Sequence, residues 1–210
     1  MIYNNQNLTE LPPLLDTLTD LSCSNNHLTL LPEHLPNTLI FLYCHNNCLT
    51  KLPEQLPNSL IRLYCFNNRL TKLPEHLPNT LTNLYCSYNR LTTLPKHLPN
   101  SLTRLYCGNN RLTKLPERLP NTLKFLYCYD NLLTTLPEHL PDTLRDLNCF
   151  NNPFLFKLKN NLRRKNKNTI SFNNYKILNI LQRKTQTKGK LQMNTINYFN
   201  RDIARLCNTF

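Results

Sequence analysis

Leu39-Ile40-Phe41-Leu42-Tyr43-Cys44-His45-Asn46-Asn47-Cys48-Leu49-Thr50-Lys51-Leu52-Pro53-Glu54-Gln55-Leu56-Pro57-Asn58-Ser59 is one turn of a pattern that governs most of the chain. Leu21, Leu42, Leu63, Leu84, Leu105, Leu126 and Leu147 recur at a spacing of 21 residues. Around them runs Leu-x-x-Leu-x-Cys-x-x-Asn-x-Leu-Thr-x-Leu-Pro-x-x-Leu-Pro-x-x. A fixed period of this length marks a repeat architecture, in which each unit is too small to bury its own apolar face and stacks on its neighbours.

Physical chemistry assigns each position of the unit. Leu42-x-Cys44 alternates with period two, so those side chains point inward while Phe41, Tyr43 and His45 point out. Stacked coils then place seven strands in parallel, about 4.8 Å apart, over roughly 30 Å. Leu49, Leu52, Leu56 and Leu60 fill the same interior. Prolines four apart, as at Pro53 and Pro57, would each remove a helical donor and clash with the preceding turn. The expected form is a solenoid with a parallel sheet on its concave face and an extended, polyproline-like convex face. Asn26, Asn47, Asn68, Asn89, Asn110, Asn131 and Asn152 fall where the chain leaves the strand. A buried amide there satisfies backbone groups that the bend leaves unpaired, so this column reads as structural.

The pattern bounds two regions: residues 1–156, with seven repeats and a partial one before them, and residues 157–210. The N-terminal stretch Leu8 to Thr17 is one residue short of the unit, and the pattern stops where Lys157 replaces a leucine. In the tail, Lys157 to Lys167 is a basic run. Phe172, Tyr175, Leu178 and Leu181 suggest one amphipathic helix, and Ile196, Phe199, Ile203 and Leu206 a second. Two such helices form a small α-helical cap over the last coil, because an uncapped solenoid exposes core leucines. The net charge of +13 is unevenly shared. Residues 1–152 hold 12 Lys and Arg against 11 Asp and Glu, whereas residues 153–210 hold 13 against Asp202 alone.

Several chemistries are disfavoured. Two glycines among 210 residues leave no room for a glycine-rich phosphate loop. No apolar run approaches the roughly 18 residues that cross a bilayer. The start, Met1 to Asn7, has no basic and apolar leader, which sets the expectation of a cytoplasmic, reducing location. Cys23, Cys44, Cys65, Cys86, Cys107, Cys128 and Cys149 form one column. A ladder does not converge as zinc ligands must, and parallel side chains in register do not face one another as a disulfide requires. Core filling is the expected role. His34, His76, His97 and His139 share a convex edge without completing a metal set. No nucleophile–base pair or carboxylate pair stands out, so neither a cofactor nor an enzymatic activity is expected.

The outward strand positions are the candidate site. Tyr43, Tyr64, Tyr85, Tyr106 and Tyr127 form an unbroken column, flanked by Phe41, Arg62, Asn83, Arg104 and Phe125. On the other side run His45, Phe66, Ser87, Gly108, Tyr129 and Phe150. Tyr, Phe and Arg together have the composition of a binding hot spot, although tyrosine also suits a strand that stacks on its own copies. The candidate contacts are Phe41, Tyr43, Arg62, Tyr64, Phe66, Tyr85, Arg104, Tyr106, Phe125, Tyr127 and Tyr129. Arg69, Arg90 and Arg111 add a basic ridge just beyond the asparagines.

The repeat wording resembles the leucine-rich repeat, with Cys in place of the third leucine. Its Leu-Pro-x-x-Leu-Pro half resembles the short subclass of bacterial type-III effectors. The Tyr-Cys-x-x-Asn wording with an Asn- and Lys-rich remainder resembles leucine-rich-repeat proteins of giant amoebal viruses. This likeness spans about residues 8–156 and implies a horseshoe fold and recognition of a protein, which for a virus includes host proteins. Some effectors of the subclass carry a large ubiquitin-ligase domain with a catalytic cysteine. The 58 residues after Asn152, with Cys207 lacking an acidic neighbour, do not match it. Three functions follow as expectations: a protein-binding scaffold using the tyrosine face, a nucleic-acid or acidic-surface binder using tail 157–210, and an adaptor for a host ubiquitin-ligase machine.

Overall fold

The computed structural model describes residues 1–154. Each Leu-x-Cys ascent forms a three-residue strand: β1 Asp20–Ser22, β2 Phe41–Tyr43, β3 Arg62–Tyr64, β4 Asn83–Tyr85, β5 Arg104–Tyr106, β6 Phe125–Tyr127 and β7 Asp146–Asn148. They pair in chain order as one seven-stranded sheet, every neighbour parallel. Register steps by one repeat, so Leu42 lies between Leu21 and Leu63, and Tyr64 between Tyr43 and Tyr85. Parallel pairing needs a crossover between successive strands, and here each crossover is the remainder of the coil.

The strands are short because residue chemistry sets both ends. Before β2 to β7 the chain makes a Pro-Asn/Asp-Thr/Ser-Leu turn, in which the Leu60 amide donates to the Pro57 carbonyl at 3.0 Å. The same bond forms from Leu39, Leu81, Leu102, Leu123 and Leu144. After each strand comes a residue in the left-handed region: Asn25, Asn46, Asn67, Tyr88, Asn109, Asp130 and Asn151, with φ between 50° and 57°. Asn and Asp tolerate that region far better than other side chains with a Cβ. Five asparagines and one aspartate in seven coils follow from this, and Tyr88 bears the steric cost.

Between strands the backbone is extended or bent, with no helix in residues 23–145. Pro53, Pro57, Pro74, Pro78, Pro95 and Pro99 are buried there, and lacking an N–H they leave no donor unpaired. Inside, Leu39, Leu42, Cys44 and Leu49 have no exposed surface, and Leu52 and Leu56 nearly none. The core is therefore one continuous leucine and cysteine column along the stack. Residues 1–8 add a partial coil over β1. The Tyr3 amide donates to Ser22 O at 2.7 Å, the Ser22 amide to Met1 O at 3.0 Å, and Ile2 bridges Ser22 in parallel. At the other end Phe154 is buried and its amide donates to Leu133 O at 3.1 Å. The expected helices at 172–181 and 196–206, and the cap they would form within tail 157–210, lie outside the described residues. No helix among the described residues is long and apolar enough to cross a membrane.

Candidate functional site

The sheet face carries three outward columns, and the structure brings all eleven candidate contact residues onto it. Phe41, Tyr43, Tyr64, Phe66, Tyr85, Arg104, Tyr106, Phe125, Tyr127 and Tyr129 are half-buried, and Arg62 is exposed. Half-burial comes from mutual contact. Tyr64, Tyr85, Tyr106 and Tyr127 stack in sequence, with centroids 4.3, 4.3 and 4.4 Å apart and planes within 11° of parallel. Tyr43 departs from the row and meets Tyr64 edge-on, at 5.0 Å and 88°. The inner rings thus spend their faces on each other and turn edges and hydroxyls outward. The Tyr127 hydroxyl donates to Asp146 Oδ2 at 2.9 Å. Burial first, then the Tyr106 and Tyr64 phenols, raises the Tyr85 hydroxyl above the ordinary phenol range. Tyr127 moves the same way, again chiefly through burial.

The first flank is organised by cation–π contacts. The Arg62 guanidinium lies 4.9 Å from the Phe41 ring centre, and Arg104 lies 5.0 Å from that of Phe125. The two arginines lean away from one another, toward opposite ends of the sheet. Asn83, between them, is buried rather than presented. On the second flank His45 stacks on Phe66 at 4.3 Å and 13°. The His45 Nδ1 is 2.9 Å from the Ser24 hydroxyl, and burial lowers its basicity. Ser87 and Gly108 in this column are buried. Gly108 does not have a positive φ, so its smallness serves space. A Cβ there would sit 2.6 Å from the Tyr129 ring, which lies across it. Burial, then a hydrogen bond with Tyr88, pushes the Tyr129 hydroxyl up to about 12.

Beneath the face, the asparagine column ties coil to coil. The Asn68 side-chain amide donates to Cys44 O at 3.0 Å in the preceding coil and to Cys65 O and Phe66 O in its own. Its Oδ1 accepts from the Leu49 amide at 2.9 Å. Asn47, Asn89, Asn110, Asn131 and Asn152 repeat the arrangement. Asn26 does so against the partial coil, through Tyr3 O, Gln6 N and Leu8 N. Six of the seven are buried, and Asn89 beside Tyr88 is only half-buried. The seven ladder cysteines are buried free thiols. Burial pushes Cys23, Cys65 and Cys149 up to about 12, and burial followed by repulsion between adjacent thiols raises Cys44, Cys86, Cys107 and Cys128 well above the ordinary thiol range. Such thiols are poor nucleophiles and poor metal ligands. The convex histidines His34, His76, His97 and His139 are exposed, and no group of three metal-ligating side chains occurs among the described residues.

Two further ladders escaped the sequence reading. Asn46 donates to Asn25 Oδ1 at 2.6 Å and Asn67 to Asn46 Oδ1 at 2.8 Å, and Asn151 donates to Asp130 Oδ1 at 2.6 Å. The signal was the first asparagine of each Asn-Asn pair, with Asp130 as its substitute. On the convex edge the Thr80 hydroxyl spans Asn58 O and Leu60 O, at 2.7 and 2.8 Å. Thr38, Ser59, Thr122 and Thr143 bridge the preceding coil likewise. Only Ser or Thr ever precedes the turn leucine, which is the trace this ladder leaves.

Stacked parallel strands, an inward asparagine ladder and a 21-residue coil define a leucine-rich-repeat solenoid. Solved structures of that kind resemble this chain. YopM from Yersinia enterocolitica is 32% identical with a TM-score of 0.56, over 69% of this chain and 35% of YopM. A leucine-rich-repeat protein of Leptospira interrogans is 30% identical with a TM-score of 0.65, over 73% of this chain and 45% of that one. The functional domain of InlJ from Listeria monocytogenes, which includes a cysteine ladder, is 32% identical with a TM-score of 0.54, over 70% and 38%. This chain therefore spans about a third to a half of the length of these proteins. No protein-family model and no curated protein matches the sequence.

Proposed function

We propose that this leucine-rich-repeat chain is a non-enzymatic, protein-binding scaffold whose partner lies on the sheet face, in a cytoplasmic setting that keeps its thiols reduced. One observation carries the reading. The inward positions repeat because a bond or the core demands them, and the outward tyrosine column repeats from Tyr43 to Tyr127, whereas the two columns that flank it change from coil to coil. The first flank reads Asp20, Phe41, Arg62, Asn83, Arg104, Phe125, Asp146, and the second Ser24, His45, Phe66, Ser87, Gly108, Tyr129, Phe150. Variation over an invariant frame is how repeat folds build distinct recognition surfaces, and function is set by such grafted side chains rather than by the fold. The likeness to viral proteins of the class extends the proposal to a host partner.

The full chain, immobilised and exposed to nuclease-treated extract, tests this. A Tyr64→Ala/Tyr106→Ala variant with unchanged circular dichroism should lose the captured protein, since central aromatics dominate binding energy. Equal capture by both would move the interface off this face. A second reading, binding of nucleic acid or an acidic surface through tail 157–210, is favoured by its 13 Lys and Arg. Capture abolished by nuclease and by raised salt would support that reading instead.

A further inference from the structure

We infer that the sheet face is built for an acidic, extended segment of its protein partner, with carboxylates seated on Arg62 and Arg104. This rests on the partner-binding reading of the same face and specifies its chemistry. The first ground is what the aromatic rings leave free. Tyr85 and Tyr106 have a ring stacked on each face, Phe41 and Phe125 each carry a guanidinium, and His45 and Phe66 cover one another. A ring's face is its electron-rich side and its edge is its positive side. The middle of the sheet therefore offers C–H edges, phenol O–H donors and guanidinium N–H donors. All three seek oxygen acceptors and negative charge.

Formal charge agrees. Strands β2 to β5 with the three residues after each, spanning 41–46, 62–67, 83–88 and 104–109, contain Arg62 and Arg104 and no Asp or Glu. In the same columns the carboxylates stand only toward the ends, at Asp20, Asp130 and Asp146. Neither arginine has a carboxylate partner among the described residues, where the ion pair that forms is Lys72 with Glu54. Contact with phenylalanine holds each guanidinium in place, and its N–H groups have no carboxylate partner among the described residues to compete with a bidentate carboxylate of the ligand.

Spacing sets the ligand's form. The two arginines stand on β3 and β5 and lean toward β2 and β6. At about 4.8 Å per strand their heads are roughly 10–19 Å apart, the reach of about three to six residues of extended chain. Nucleic acid also supplies anions, but single strands are held by bases stacked on free aromatic faces. Tyr85 and Tyr106 have none to give, which favours protein.

The test uses the full chain and three photo-crosslinking dodecapeptides, identical except for Glu, Lys or Ser at every fourth position, with adducts mapped by mass spectrometry. The Glu peptide should label β3 to β5, and Arg62→Gln/Arg104→Gln should weaken that labelling by about tenfold or more, as loss of charge-pair anchors does. Arg62→Lys/Arg104→Lys should recover part of it. Adducts on the basic tail should persist in every variant, which separates the two sites. Labelling of the face by the Lys or Ser peptide at least as well as by the Glu peptide overturns the acidic chemistry and leaves the face as a protein-binding surface. Glu-peptide adducts confined to residues 157–210 also overturn the inference, while the Tyr64→Ala/Tyr106→Ala capture result independently decides the broader reading. Labelling of β3 to β5 by a single-stranded oligothymidylate, lost in the Gln variant, would make nucleic acid the occupant and overturn it.

Discussion

The sheet side and the Leu-Pro side of each coil face the same water but obey different rules. On the Leu-Pro side the repeating residues are answerable to the coil before them or to the turn they close. Thr80 must reach two carbonyls of that coil, and Leu81 must close a turn on Pro78. On the sheet side the backbone is satisfied by its neighbouring strands, so the outward side chains of the first flank carry no backbone bond that fixes their identity. Phe41, Arg62 and Asn83 can therefore succeed one another in a single column. Repetition marks where structure is constrained, and departure from repetition marks where it is free.

The sharpest way to break this contrast is to delete atoms from the core. Leu105→Ala, at a fully buried site, should cost about 2–5 kcal/mol by denaturant unfolding. Tyr106→Ala next to it should cost clearly less; an equal loss would mean that the tyrosine row is structural. Asn110→Ala comes next. It removes donors to Cys86 O and Cys107 O at 3.1 Å and the acceptor for the Leu91 amide at 2.9 Å. Unsatisfied buried backbone should then cost about 1–3 kcal/mol, seen as a lowered denaturant midpoint.

Smaller effects sharpen the comparison. Thr80→Val keeps shape and removes the one hydroxyl proton shared between two carbonyls at an exposed edge, for about 0.5–1.5 kcal/mol. A neutral result would show that water replaces the hydroxyl fully. Gly108→Ala should displace the Tyr129 ring at about 1 kcal/mol, the low end for overpacking because a side chain rather than backbone must move. Its cost should vanish in a Tyr129→Ala background, as a double-mutant cycle would report. Alkaline titration gives the subtlest signal. The folded Tyr129 phenol is raised to about 12 from an ordinary value near 10, so its share of stability is complete below about pH 10. That share fades as pH rises through about 12. Phenolate absorbance of wild type against Tyr129→Phe should show the difference only at the top of this window.

Much of the architecture was legible because a period is visible without knowing any contact. The 21-residue step gave the parallel sheet, Leu-x-Cys gave the buried side, and paired prolines excluded a convex helix. The inward asparagines were readable because a polar residue inside an apolar pattern needs a partner. The left-handed asparagines such as Asn46 were not, since an exposed polar residue has no visible debt until its φ is known. Columns of the face could be named from spacing. Which surface of Tyr85 is exposed, and which way Arg62 and Arg104 lean, depends on tilts that spacing does not encode. Gly108 looked like an ordinary gap in the flank until Tyr129 was found lying across it.

The bonds of Asn68 and Thr80 reach no farther than the preceding coil, and there they meet backbone atoms that every coil supplies. An in-frame duplication or loss of one repeat in the gene would leave every such bond with an equivalent partner. Slippage during replication could thus lengthen or shorten the solenoid by one notch, roughly 4.8 Å, without passing through an unfoldable intermediate. Each new notch would arrive with a free outward position already in place. Copy number would change the length of the outward face, and point mutation its side chains.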